Sequence, residues 1–163
     1  MSMQYDVKQI HVKATGTAVS YATRLKSLTV TSATSSARNF SICDPTVYKS
    51  GTYARTSPSG VTTITMTAHG LSTGDRVFLD FTSGTAIDAT FDVTKLNDNS
   101  FTVTTVATTT TSGNVTMYPT ILLEVDTYST VGLPILIPGE GIYCKNGIFV
   151  GCGGSVTGTL YYG

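Results

Sequence analysis

At 163 residues, with ten lysines and arginines against ten aspartates and glutamates, the chain carries no net field to draw it to nucleic acid or to an anionic membrane. Only 12% of its residues are charged while threonine, serine and glycine abound, which suits β-structure with hydroxyl-bearing faces and is poor for surface helices. No stretch approaches the roughly 20 apolar residues of a membrane span, and the N-terminus MSMQYDVKQIHVKATG lacks a signal-peptide core, so a soluble protein made in a cytoplasm is expected.

Taken in order, Gln4 to Lys13 alternates weakly through Val7, Ile10 and Val12, and Thr17 to Tyr21 continues after Gly16. Two short strands are predicted there. RLKSLTVT, from Arg24 to Thr31, puts Leu28 and Val30 on one face, and RNFSIC, from Arg38 to Cys43, does the same with Phe40 and Ile42. A polar turn at Ser32 to Ser36 joins them, so the pair is predicted as a hairpin, ended by Asp44-Pro45 because proline removes a ladder donor. Residues 49–60, punctuated by glycine, serine and proline without sustained periodicity, are predicted as a linker.

From Val61 to Tyr118 five short alternating runs follow: Val61, Ile64 and Met66; Val77, Leu79 and Phe81; Phe91 and Val93; Phe101 and Val103; Val115 and Met117. Their period of two is that of half-buried strands. His69-Gly70, Thr73-Gly74-Asp75 and Asn97-Asp98-Asn99 supply turns between them, through residues that tolerate positive φ. Between Ser57 and Tyr118, Arg76 and Lys95 stand against Asp75, Asp80, Asp88, Asp92 and Asp98, two against five, so this stretch is net minus three and the remainder plus three.

After Tyr118-Pro119, TILLEVD begins a new strand, and LPILIP, bracketed by Pro134 and Pro138, reads as an edge strand or a very short one. Asn146-Gly147 between IYC and IFV is the strongest hairpin signal in the chain and would set Cys144 opposite Phe149. A Cys144–Cys152 disulfide needs another register, so Cys43, Cys144 and Cys152 are expected as free, buried thiols. The last strand alternates Val156, Gly158, Leu160 and Tyr162.

Neither flank has enough strands to fold alone, but together they supply roughly ninety to a hundred residues, the size of a two-sheet sandwich. The expected fold is therefore all-β: a discontinuous β-sandwich of residues 1–48 and 119–163, the linker 49–60, and a small five-stranded barrel-like domain at 61–118 inserted at a loop.

RLKSLTVTSATSSARNFSICD, TILLEVD and GEGIYCKNGIFVGCGGSVTGTLYYG resemble the small structural proteins of tailed bacteriophages. TAHGLSTGDRVFLDF with the later NDNSFTV resembles a repeat of phage virion proteins that shares its profile with a small accessory β-barrel of ubiquitin-activating enzymes. The resemblance implies a virion component that decorates and cements the capsid shell, with the major capsid protein as partner. A tail, neck or fibre module that binds a host-surface glycan or receptor is the alternative. It implies no catalysis, and no cofactor, metal, small-molecule substrate, nucleic acid or membrane is expected as partner. Self-association is compatible with it.

The residues that could carry chemistry are few. His11 and His69 are the only imidazoles; the first lies in a predicted strand and the second in a turn, where bonding the local backbone is expected. Asp75, Asp80, Asp88 and Asp92 flank strands and read as solvated positions, and Asn97-Asp98-Asn99 reads as a turn, since a twelve-residue calcium loop is missing. No Gly-x-Ser-x-Gly occurs, and Gly151-Cys152-Gly153-Gly154 lacks the strand-to-helix context of a nucleophile elbow. Tyr48, Tyr53 and Tyr118 sit near the proposed junction, where stapling or core filling is expected of them. The expected interface residues are Arg24, Lys26, Arg38 and Lys49, which make the flanking side basic, with the terminal aromatics Tyr161 and Tyr162.

Overall fold

The structure, a computed structural model, describes residues 6–34, 38–56, 59–105, 109–127 and 130–163. Among these the chain forms sixteen strands and no helix: β1 Lys8–Val12, β2 Gly16–Val19, β3 Thr23–Ser32, β4 Arg38–Cys43, β5 Lys49–Arg55, β6 Val61–Thr65, β7 Arg76–Asp80, β8 Ala89–Asp92, β9 Thr94–Asn97, β10 Ser100–Thr104, β11 Thr111–Tyr118, β12 Ile121–Thr127, β13 Leu133–Leu136, β14 Ile142–Cys144, β15 Ile148–Cys152 and β16 Val156–Tyr162. The fold is all-β, as the composition predicts. The expected strand start at Gln4, the turn residues Ser35 and Ser36, and Ser57 and Pro58 of the expected linker lie outside the described residues. Two compact units emerge, Met1–Thr46 with Leu122–Gly163, and Val47–Ile121.

In the first unit, one sheet runs β1-β16-β3-β13, with β14 beside β13 along the same edge of β3, and the other runs β12-β4-β15-β2. Leu25, Leu28, Val30, Val156 and Leu160 from the first sheet meet Phe40, Ile42, Ile148 and Val150 from the second in one buried core. Strand β16 shows the alternation most cleanly, with Val156, Gly158, Leu160 and Tyr162 all turned inward. Gly158 is the contact point between the layers: a Cβ there would stand 2.5 Å from Cζ of Phe40, so only a hydrogen leaves room for that ring.

Two hairpin expectations are overturned here. Strands β3 and β4 do not pair, because β16 takes one edge of β3 from Leu25 to Ser32 while β13 and β14 take the other. With both edges occupied, β4 crosses to the second sheet, where Phe40 and Ile42 face the core against Leu28 and Val30. The Asn146-Gly147 turn likewise joins two sheets: Cys144 pairs with Thr23 in the first and Phe149 with Cys43 in the second, not with each other. Gly147 donates its N–H to the Cys144 carbonyl at 3.3 Å and holds φ 105° where a Cβ would lie 2.2 Å from the Val19 carbonyl oxygen. The same dipeptide that suits a tight hairpin thus suits a sharp sheet-to-sheet crossing, and the Asn146 amide fixes it by donating to Asp44 at 2.8 Å. All three cysteines are free and buried.

Strand β13 is the edge its prolines predict. Ile137 N–H points inward to the Lys26 carbonyl at 3.2 Å, so by alternation residues 134, 136 and 138 turn their backbone to the free side. Pro134 and Pro138 have no N–H to offer there. A strand with Leu136 84% exposed and Leu133 42% exposed would otherwise template pairing with another chain.

The second unit is a single sheet, β8-β7-β11-β5-β6-β10-β9. Its two ends, β8 and β9, are separated by Val93 alone, whose N–H and carbonyl bond Asp75 and Gly74 at 2.9 Å each. One bent run from Ala89 to Asn97 therefore serves as both edges, pairing β7 with its first half and β10 with its second, and closes the sheet into a barrel. The barrel interior is filled by Tyr53, Ile64, Met66, Leu71, Val77, Leu79, Phe101, Val103, Val115 and Met117.

The expected five strands omit two, and the expected linker is wrong in its first half. Lys49–Arg55 is β5, paired with β11 on one side and β6 on the other. Its inward positions are Gly51, Tyr53 and Arg55, which carry no apolar period. Gly51 is required because a Cβ would meet the Thr65 carbonyl oxygen at 2.2 Å. Arg55 is 2% exposed and spends its guanidinium on neutral acceptors: Nε to the Thr109 carbonyl at 2.7 Å, Nη1 to Thr105 Oγ1 at 3.0 Å, and Nη2 to Thr109 Oγ1 at 3.3 Å. Strand β9 escapes notice for the opposite reason, since TKLN leaves Leu96 exposed.

Candidate functional site

His69 is committed to the backbone. Leu71 N–H donates to its Nδ1 at 3.0 Å, so Nε2 carries the proton and donates to the Asn97 carbonyl at 2.8 Å. The ring stacks edge-on against Phe101, centroids 5.1 Å apart. Met66 N–H donates to the Asn99 carbonyl, Ala68 N–H to Asn99 Oδ1 and His69 N–H to the Asp98 carbonyl, at 2.8, 2.9 and 3.1 Å. The AHGLSTGD and NDNS motifs are therefore two halves of one clasp on the barrel, and Asn97-Asp98-Asn99 is a turn. His11, on β1, faces Thr159 Oγ1 across the ladder at 3.0 Å.

The carboxylates also have structural duties. Asp75 accepts from Ser72 N–H and Asp88 from Phe81 N–H, both at 2.8 Å, while Asp92 pairs with Arg76 and Asp98 with Lys95, again at 2.8 Å. Asp80 differs: burial, and then the neighbouring Asp88, push its carboxyl up to about 6. Burial, and then Glu124, push the Cys43 thiol up to about 12, so it is held as an unreactive thiol. Among the described residues no group of three or more His, Cys, Asp and Glu is placed to hold a metal ion.

The expected interface residues lie on several elements. Arg24 and Lys26 lie on β3, the first with its guanidinium 5.4 Å from the Tyr143 ring centroid and the second donating to the Glu140 carbonyl at 3.0 Å. Arg38 opens β4 in the other sheet, and Lys49, whose ammonium donates to the Ala68 carbonyl, belongs to the barrel unit. Tyr161 is half-buried on β16 and pairs with Ser27. Tyr162 turns inward. Of the junction tyrosines, Tyr53 lies in the barrel core with its hydroxyl donating to the Ser83 carbonyl at 2.9 Å, and the rings of Tyr48 and Tyr118 stand 6.0 Å apart within the same unit.

Tyr162 leads to a feature the sequence reading missed. At one end of the sandwich a recess of about 260 Å³ is lined by Asp6, Lys8, Tyr21, Ala22, Thr23, Tyr162 and Gly163. It exists because Lys8 and Tyr162 are cross-strand partners where an apolar pair would close the core. Lys8 Nζ lies 3.5 Å from the Tyr21 hydroxyl and 5.5 Å from that ring's centroid. Burial first, and the neighbouring Tyr21 hydroxyl second, push the Tyr162 phenol above its usual range. No local motif marks the recess, since its walls come from the start of β1, the β2–β3 turn and the end of β16.

These features define an all-β protein of two compact units, a sandwich and a closed barrel, with a recess of mixed polar and apolar lining at the end of the sandwich. No family model matches the chain, and no curated protein matches it. Among solved structures it is similar to a phage phi92 endosialidase, at 22% identity and a TM-score of 0.37, over 56% of this chain and 14% of that one. The chain thus spans a small part of that protein's length.

Proposed function

We propose that the chain is a non-catalytic structural protein of a bacteriophage particle, and that its sandwich docks on the outer shell as a decoration or cement protein, with the major capsid protein as partner. The sequence resemblance to small structural proteins of tailed phages supports the setting. The observation that carries the docking role is the outer face of β3 and β16. Thr29 faces Thr159, Thr31 faces Thr157 and Ser27 faces Tyr161, a half-buried array of hydroxyls on a ten-residue strand that also bears Arg24 and Lys26. Such a face offers many modest hydrogen bonds on a rigid frame and little long-range attraction. Its affinity per copy is low, and a lattice of neighbouring copies multiplies it.

The test is the copy number of the chain relative to the major capsid protein in purified particles, by quantitative mass spectrometry. A ratio near one, or near one per three, is expected, and Arg24→Ala with Lys26→Ala should lower occupancy. A ratio of a few per hundred removes the shell role, and absence from particles removes the virion setting. The second reading, a tail or neck module that binds a host-surface glycan, is favoured by the recess at the mouth of the sandwich.

A further inference from the structure

We propose that the recess bounded by Lys8, Tyr21 and Tyr162 is a binding site for one neutral pyranose ring, such as the terminal unit of a glycan. The inference deepens the second reading above and rests on it for its biological setting. The chemistry stands on the recess itself.

Size restricts the ligand first. At about 260 Å³ the recess falls just below the range of sites for drug-sized ligands, roughly 300–1,000 Å³, and has room for a single ring.

Polarity restricts it next. The Tyr21 oxygen lies 3.5 Å from the Lys8 ammonium as its acceptor, so its own proton is left to point at a ligand. Lys8 has further N–H donors, and Asp6 also borders the recess. An apolar ligand would leave that outward Tyr21 proton without an acceptor, which is costly. An anion would meet Asp6 with only Lys8 to offset it, and Lys8 is engaged with Tyr21. A ligand with several hydroxyls, each able to donate and accept, satisfies both kinds of wall at once.

The aromatic surface completes the argument. Tyr21 is 50% exposed, and Lys8 covers its ring on one side, which leaves the other for the C–H face of a sugar. The Tyr162 ring closes the floor, held by burial in the core. The site is nearly preformed, because Tyr162 and Lys8 sit in a continuous ladder and the Gly163 N–H is tied to the Arg24 carbonyl at 3.1 Å.

The experiment titrates the full chain with D-glucose, D-galactose, D-mannose and N-acetylglucosamine separately, each to about 50 mM, and reads amide shifts by NMR. A saturable response at Lys8, Tyr21 to Thr23 and Gly163 is expected for at least one sugar, with a Kd of about 1–10 mM. Tyr21→Ala should weaken it about tenfold or more, Tyr21→Phe should weaken it less, and Tyr143→Ala, at an exposed tyrosine outside the recess, should leave it unchanged. Acetate serves as the anionic probe. No saturable shift with any of the four sugars overturns the site, and so does binding that Tyr21→Ala leaves intact. Acetate binding in place of sugar overturns the neutral-ligand assignment. The particle count is independent: a low ratio with no sugar response leaves a tail location standing without this site, and a ratio near one with a sugar response leaves the site standing on a shell protein.

Discussion

Gly158→Ala tests the packing of the sandwich directly. The added methyl would sit 2.5 Å from Cζ, 2.7 Å from Cε2 and 3.2 Å from Cε1 of Phe40, whereas carbon atoms rest at about 3.5–4.0 Å. The ring must retreat by roughly an ångström, yet Phe40 is fully buried and its own strand pairs through Cys152. Overpacking of this kind costs about 1–3 kcal/mol. Against it stands the gain from replacing glycine in a strand, about 0.5–1 kcal/mol. The clash wins, and a net loss of about 1–2 kcal/mol is expected.

Urea unfolding followed by NMR reads the two units separately. The midpoint of the sandwich resonances should fall while that of the barrel resonances stays. Phe40→Leu added to Gly158→Ala should recover part of the loss, giving a favourable coupling of about 0.5–1 kcal/mol. A Gly158→Ala variant as stable as the parent, or additive losses in the double variant, would refute the claim that this glycine exists to seat the Phe40 ring.

Two further outcomes are expected. The folded carboxyl of Asp80, at about 6, lies above its unfolded value near 3.9, so the folded state holds the extra proton. Stability from this group is complete below about pH 4 and is lost as pH rises through about 6. Asp80 is half buried, and screening reduces the effect to about 1 kcal/mol. Asp80→Asn should therefore raise the barrel's unfolding midpoint at neutral pH and flatten its decline between about pH 4 and 6; a variant less stable at neutral pH contradicts the assignment. Replacing Pro134 and Pro138 with alanine restores two outward N–H groups on the apolar edge of β13, and concentration-dependent association should appear in sedimentation velocity. A variant that stays at the parent's sedimentation coefficient at every concentration shows that the prolines do not guard this edge.

Much of the candidate site was beyond the reach of sequence reading. Tyr162 was singled out as an interface aromatic, but its partners Lys8 and Tyr21 carry no motif and are brought together only when β1 and β16 pair. Arg24, Arg38 and Lys49 are near one another in the chain, yet they fall in one sheet, the other sheet and the other unit. The role of His69 was legible, because a histidine before Gly70 in a turn has backbone N–H and carbonyl groups close at hand.

What the sequence by itself determined is local: the absence of helices among the described residues, the existence and inward faces of β3, β4, β10 and β16, and the turns at glycine and asparagine. Each follows from alternation over a few residues or from the φ that one residue type tolerates. Tertiary structure alone decided which strands pair. Strands β3 and β4, and β14 and β15, look like hairpins until β16, β13 and β2 compete for the same edges, and the apolar faces are better buried across the sandwich than along it. It alone decided β5 as well, whose inward Gly51, Tyr53 and Arg55 are set by a carbonyl's close approach, a ring's packing and a guanidinium's distant acceptors. Alternation records which way a side chain points, and an edge has no such record, because backbone N–H and C=O groups are the same in every residue but proline.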